Sequence, residues 1–174
     1  HIRENHHIIF TRFKRQHEAS FGTLGTELQN MTTARHKGRK LRNLSMYPGQ
    51  HAIEKLDQAA FIMAATGDFM TFSELDRRTN KLAHLLRANG LNRLDHYAIF
   101  MENNKHYIES CGAGERSGLY YTCINSYLTA EELSYIINNS ESQIIITSSA
   151  KQAIVLEALD DCPNVKLCLV VDGS

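Results

Sequence analysis

Gly118-Leu119-Tyr120-Tyr121-Thr122-Cys123-Ile124-Asn125-Ser126-Tyr127-Leu128-Thr129-Ala130-Glu131-Glu132-Leu133 is the stretch on which the fold turns. Residues 119–124 are a run of strand length. Thr129-Ala130-Glu131-Glu132 is a capping box: the Thr hydroxyl accepts from the amide three residues on, and the Glu reaches back. A helix follows, with Leu133, Ile136 and Ile137 on its inner side. Strand, short loop and capped helix make one step of an alternating α/β chain.

The same alternation extends both ways. Upstream, residues 51–59 read as a short amphipathic helix with Ile53 and Leu56 on one side. Residues 60–64 and 69–71 read as a small hairpin around the Thr66-Gly67-Asp68 turn. Thr71-Phe72-Ser73-Glu74 is a further capping box, opening a helix to about Asn89 with Leu75, Thr79, Leu82, Leu85 and Leu86 in its buried stripe. Gly90 supplies the left-handed residue that ends it. Residues 96–101 form a strand and residues 105–117 a helix ending at Gly118. Downstream come a strand at 143–147, a helix at 149–159 and a strand at 165–171. The order from Met46 is therefore β-α-β-α-β-α-β after the hairpin. The strands are near-continuous apolar runs, as expected of a mostly parallel sheet with helices on both faces.

Composition sets the limits. The chain has 174 residues, 43% hydrophobic and 22% charged, enough for one globular domain with a sizeable core. No apolar run approaches the ~20 residues that span a bilayer, and Ile8-Ile9-Phe10 is too short for a signal-peptide core. No transmembrane segment is expected, and the cytoplasm is the expected location. The four cysteines form no Cys-x-x-Cys pair or zinc spacing and are read as reduced core residues.

Charge divides the chain. Residues 1–45 carry nine Lys/Arg against three Asp/Glu, and residues 46–174 carry ten against sixteen, a +6 segment joined to a −6 domain. Residues 1–45 hold five of the nine histidines and the cluster Arg35-His36-Lys37-Gly38-Arg39-Lys40-Leu41-Arg42, with no sustained period and no aromatic residue within that cluster. They are read as a basic, irregular extension, disordered or upstream of the native start. No nucleic acid partner is expected.

Three patterns suggest chemistry and have plainer explanations. Gly112-Ala113-Gly114 has Gly-x-Gly, but inside a helical stretch; a pyrophosphate loop must join a strand end to a helix N-terminus. These glycines are expected to make a small-residue face packed close to the sheet. Ser148-Ser149-Ala150-Lys151 matches Ser-x-x-Lys, yet a serine as helix N-cap accounts for it. Glu102-Asn103-Asn104 sits at the carboxyl end of a strand, where α/β sheets place ligands. Helix capping by Asn103 or Asn104 is the reading favoured there over direct ligand contact.

Taken together these segments resemble the N-terminal part of the AMP-forming acyl-CoA synthetase family. The resemblance rests on Thr66-Gly67-Asp68-Phe69-Met70-Thr71-Phe72-Ser73-Glu74-Leu75, Asn80-Lys81-Leu82-Ala83-His84-Leu85-Leu86-Arg87-Ala88-Asn89-Gly90-Leu91, Ala98-Ile99-Phe100-Met101-Glu102-Asn103 and the 118–133 block, which looks most like stand-alone fatty acyl-CoA synthetases. It implies the N-terminal subdomain of the adenylate-forming fold over residues 46–174. It also implies a ligase that uses ATP and Mg2+ to turn a carboxylic acid, of fatty-acid type, into an acyl-adenylate and passes it to coenzyme A. The family's phosphate loop, ribose-binding aspartate and C-terminal lysine have no matching position here, so no catalytic, cofactor-binding or metal residue is assigned. The chain alone is expected to be inactive and to bind none of these cofactors tightly. Where the family usually has Gly-Asp before the strand, this chain has Leu94-Asp95, which implies a less relaxed turn. Two alternatives stand beside this reading: a stand-alone α/β binding module with a basic arm, and an adenylation domain serving a carrier protein.

Overall fold

The computed structural model describes residues 9–11 and 48–172. Seven strands and five helices run in the order β1 (Ile9–Thr11), α1 (Pro48–Glu54), β2 (Ala59–Ile62), β3 (Phe69–Thr71), α2 (Phe72–Ala88), β4 (His96–Phe100), α3 (Lys105–Ser117), β5 (Tyr120–Cys123), α4 (Ala130–Asn139), β6 (Ile144–Ser148), α5 (Gln152–Leu159) and β7 (Leu167–Val171). The main sheet has the order β1-β7-β6-β4-β5, and β2 and β3 form a separate antiparallel hairpin. Strands β5, β4, β6 and β7 are parallel; only β1 is antiparallel, on the outer side of β7. The short strand β1 falls inside the segment read as irregular. The basic cluster at 35–42 lies outside the described residues.

Both faces of the sheet are buried, which is why its strands are continuously apolar. Tyr97, Ile99, Met101, Ile144, Ile146, Leu167 and Leu169 point to one side, beneath α2 and α3. The alternate residues Ala98, Phe100, Ile145, Cys168 and Val170 point to the other, beneath α4 and α5. The parallel sheet with helices on both faces is thus the architecture the sequence implies.

Helix α3 approaches the sheet unusually closely. Its Gly112 faces the Thr79 methyl of α2, and Gly114 faces the hydroxyl of Tyr97 and the ring of Tyr121. The Gly-x-Gly pattern is therefore a packing face in mid-helix, not a phosphate loop. Tyr97 is fully buried and its hydroxyl donates to the Ser110 carbonyl at 2.5 Å, so it has nowhere to go. Across the α2–α3 seam, Arg78 Nε donates to Glu109 at 2.9 Å. Burial alone would raise the Glu109 pKa; the bonds from His106 and Arg78 outweigh it and hold the carboxyl below its usual range. Helix α3 ends at Gly118, whose φ of +67° only glycine adopts without strain.

Several boundaries differ from those expected. Helix α1 starts at Pro48, where a missing N–H costs nothing, and stops at Glu54 rather than Ala59. Beyond it, the Leu56 and Gln58 carbonyls accept from Ser73 and Phe72, which draws the chain out of the helix and onto α2. Ile53 and Leu56 are consequently 73% and 53% exposed, while Ala52 is buried. Thr71 caps α2 by accepting from the Glu74 amide, but Glu74 makes no return bond, whereas Thr129 and Glu132 make both halves of their box. Two of the cysteines are not core residues: Cys123 is exposed and Cys111 half-buried, because β5 is the edge strand and Cys123 is its last residue. Among the described residues no helix is long and apolar enough to cross a membrane.

Two substitutions test this account. Alanine at Gly114 gains about 1 kcal/mol of helix propensity. Its Cβ would stand 2.5 Å from the Tyr97 hydroxyl and 2.7 Å from the Tyr121 ring. Overpacking of an unyielding site costs about 1–3 kcal/mol. Gly114→Ala is expected to destabilise by about 1 kcal/mol net in urea unfolding; a more stable variant would show that the helix is not pressed on Tyr97. Leu94 has φ of +76° and an exposed side chain, the strained turn implied by Leu where the family has Gly. Left-handed strain of about 1–2 kcal/mol exceeds the chain entropy that glycine adds, so Leu94→Gly is expected to stabilise by about 0.5–1 kcal/mol by the same measurement.

Candidate functional site

The chain winds in one direction from β4 to β5, then returns past β4 to β6 and β7. The loops leaving β4 and β6 therefore diverge: one leads to α3 on the first face, the other to α5 on the second. Open α/β sheets bind ligands in the crevice outside the carboxyl ends of the strands at such a reversal. Beside that reversal, at the carboxyl ends of β4 and β5, lies a cleft of ≈ 530 Å³ lined by Met101, Glu102, Asn103, Tyr107, Cys123, Ile124, Asn125, Ser126 and Tyr127. The volume is in the range of small-molecule sites.

The cleft floor is fixed by strand-end hydrogen bonds. Ile124 N donates to the Ile99 carbonyl at 2.9 Å, and the Thr147 hydroxyl donates to the Phe100 carbonyl at 2.7 Å. The diverging loops are stitched together above it: Ser148 Oγ donates to Glu102 Oε2 at 2.5 Å, and Asn104 Nδ2 to Glu102 Oε1 at 3.1 Å. Asn104 also caps α3, its Oδ1 accepting from the His106 amide. At the rim, Asn125 Oδ1 accepts from the Tyr127 amide and turns the chain so that Tyr127 stands 89% exposed. The Lys151 ammonium lies 5.4 Å from the Tyr127 ring centre, a cation–π contact across the β5 and β6 loops.

Glu102 is held ionised. Burial alone would raise its pKa; hydrogen bonds from Ser148, its own amide and Asn104, with Lys151 nearby, outweigh that and lower it. A general base needs a pKa near the working pH and a free lone pair. Glu102 has a depressed pKa and both oxygens hydrogen-bonded, which makes it a structural anion and a weak proton acceptor. The cleft can bind and orient a ligand, but no nucleophile–base pair lines it.

The polar cluster 102–104 lies at the carboxyl end of β4 as expected: Asn104 caps α3, the reading favoured there, while Glu102 and Asn103 line the cleft. The serine expectation fails. Neither Ser148 nor Ser149 makes a capping bond to the following helix, because the Ser148 hydroxyl is already committed to Glu102. Tyr107, Cys123, Ser126, Tyr127 and Lys151 were not singled out for this edge; their signal is position, since all but Lys151 lie on the loops and helix adjoining the carboxyl ends of β4 and β5.

No three or more His, Cys, Asp and Glu side chains gather in a cation-binding arrangement among the described residues. At the N-termini of α2, α3 and α4 one amide each is already taken, by Thr71, Asn104 and Thr129.

The sheet is doubly wound, with a cleft at the carboxyl ends of β4 and β5, the edge where α/β domains place ligands. Residues 49–174 match the family described as AMP-binding enzyme, and the chain belongs to that family. It is 28% identical over 125 residues to a 3-oxocholest-4-en-26-oate–CoA ligase of Rhodococcus rhodochrous, a match covering 72% of this chain and 22% of that protein. It is 33% identical over 79 residues to the fatty acid–[acyl-carrier-protein] ligase ScoC of Streptomyces coeruleorubidus, covering 45% of this chain and 15% of that one. The fold matches a Mycobacterium tuberculosis fatty acyl CoA synthetase with a TM-score of 0.64 and 23% identity, over 72% of this chain and 26% of the other. The chain thus spans about a quarter of the length of the relatives it matches.

Ser148→Ala tests the stitch across the reversal. Because the folded pKa of Glu102 is depressed, the ionised carboxylate stabilises the fold above the usual carboxylate range, and that contribution is lost as pH falls through the folded value. Removing the Ser148 donor is expected to raise the Glu102 pKa and to cost about 1 kcal/mol near neutral pH, the partial exposure of Glu102 keeping it at the low end for a charged hydrogen bond. The difference from wild type should narrow in acid. Carboxyl NMR titration and urea unfolding at neutral and acid pH check this; an unmoved Glu102 titration would show that Ser148 does not hold it.

Proposed function

We propose that the chain is the N-terminal portion of a cytoplasmic acyl-CoA synthetase acting on a carboxylic acid of the fatty-acid class. In this reading the acid attacks ATP to give an acyl-adenylate and pyrophosphate, and the thiol of coenzyme A then displaces AMP. The observation that carries the proposal is the family match over residues 49–174, joined by relatives named as acid–CoA ligases.

The described residues contribute scaffold and one wall of the acyl or coenzyme A site. Tyr107 and Tyr127 give that wall an aromatic surface over the buried Met101 and Ile124, and Glu102 ties the neighbouring loops together. The phosphate-binding loop, its lysine and the magnesium belong to the rest of the protein, so the portion in hand does not turn over alone. No nucleic acid takes part.

A second acceptor has its own support: one relative is named as a ligase that loads an acyl-carrier protein. The acid-activation step is common to both.

The test begins with the encoding DNA beyond Ser174. An in-frame continuation is expressed as one chain and assayed for AMP release with ATP, a fatty acid and coenzyme A. Release that requires the acid, with the 174-residue chain inert, is the expected result. A carrier protein, and not coenzyme A, completing the reaction would move the proposal to the second acceptor. A stop codon directly after Ser174, with a folded monomer that binds an anionic partner in a salt-sensitive way, would replace it with a binding module.

A further inference from the structure

Two thiols meet at the wall of the cleft. Cys111 lies in the middle of α3 and Cys123 is the last residue of β5, and their sulfurs are 4.0 Å apart. Cys123 is exposed and lines the cleft; Cys111 stands half-buried behind it. The other two cysteines, Cys162 and Cys168, are buried in the core on the opposite face of the sheet from the one Cys111 packs against. The sheet itself separates them from Cys111.

We propose that Cys111 and Cys123 form a peroxide-responsive dithiol that closes into a disulfide in the cleft wall. A disulfide needs its sulfurs about 2.05 Å apart, so the pair must close by about 2 Å, a displacement within reach of rotation about the two Cα–Cβ bonds. The loop it closes joins positions 12 residues apart. The inference stands on the geometry of the thiols and does not depend on the ligase reading.

The chemistry balances in two steps with a hydroperoxide as oxidant. The Cys123 sulfur, having lost its proton to solvent, attacks one peroxide oxygen. The O–O bond breaks, the other oxygen leaves as alcohol or water after taking a proton, and Cys123 becomes a sulfenic acid. The Cys111 sulfur then attacks the Cys123 sulfur. The S–O bond breaks, water leaves with the Cys111 proton, and the S–S bond forms. Two thiols are oxidised by two electrons, and one peroxide is reduced.

The order of events follows from exposure. Burial, then the neighbouring Cys123 and Glu115, push the Cys111 thiol up to about 12. Reactive cysteines are accessible and form thiolates readily. The exposed sulfur therefore meets peroxide first, and Cys111 resolves the sulfenic acid formed beside it.

The test uses the whole chain, reduced, freed of reductant and exposed to one equivalent of hydrogen peroxide, then unfolded and labelled with a maleimide. Two of its four thiols should be lost to labelling and recovered with dithiothreitol. Trypsin should release residues 106–116 joined to residues 117–151, two hydrogens lighter than the sum. Cys111→Ser should leave a sulfenic acid on Cys123 that dimedone traps. Cys123→Ser should keep all its remaining thiols free at the same peroxide dose. The wild-type peptide map decides the matter even where a variant misfolds. Full labelling of all four thiols, a linked peptide containing Cys162 or Cys168, or a disulfide found only between two chains would overturn the proposal.

Discussion

The close seating of α3 on β4 and β5 is the constraint on which the rest of the structure depends. With glycine at positions 112 and 114, the helix backbone rests against the Thr79 methyl, the Tyr97 hydroxyl and the Tyr121 ring, where any larger residue would hold it off. That distance fixes everything the helix carries. It places Asn104 at the mouth of the sheet, Tyr107 on the cleft and Cys111 behind Cys123. A helix held off by even one methyl would lose the Tyr97–Ser110 bond and shift one wall of the cleft, since packed interiors transmit such changes rather than absorb them.

The second constraint is the change of winding direction at β4. Because α3 covers one face and α4 and α5 the other, the loops at the carboxyl edge part company and leave a crevice. Diverging loops are normally the mobile part of such a sheet. Here a ladder of short bonds ties them: Thr147 to the Phe100 carbonyl, Ser148 to Glu102, and Lys151 over Tyr127. The reversal beside the cleft is thus where the neighbouring loops are tied to its walls.

What was legible in the sequence was whatever depends on neighbours along the chain. Period and caps placed the four parallel strands, the helix ends at Gly90 and Gly118, and the complete box at Thr129. The Leu94 turn was legible from its departure from the family pattern, and its positive φ agrees. What was not legible depends on partners far away in sequence. Ser148 looks like a cap because the Ser-x-x-Lys pattern is local, while its partner Glu102 lies 46 residues back. The α1 boundary moved because distant amides at Phe72 and Ser73 claimed its following carbonyls. The cysteines looked like core residues because an edge strand and a central strand share one apolar pattern, and only strand order tells that β5 is the edge. Gly-x-Gly in mid-helix was correctly read as packing because the objection to a phosphate loop is itself local.

The electrostatics of the crevice say which part of a ligand suits it. Glu102 stays ionised at the centre of the reversal, with its oxygens turned to Ser148 and Asn104. A phosphate brought against that carboxylate would face a like charge. Tyr107 and Tyr127 offer instead aromatic surface beside Asn103, Asn125 and Ser126, over the buried Met101 and Ile124. A group without negative charge therefore suits the cleft better than a phosphate does.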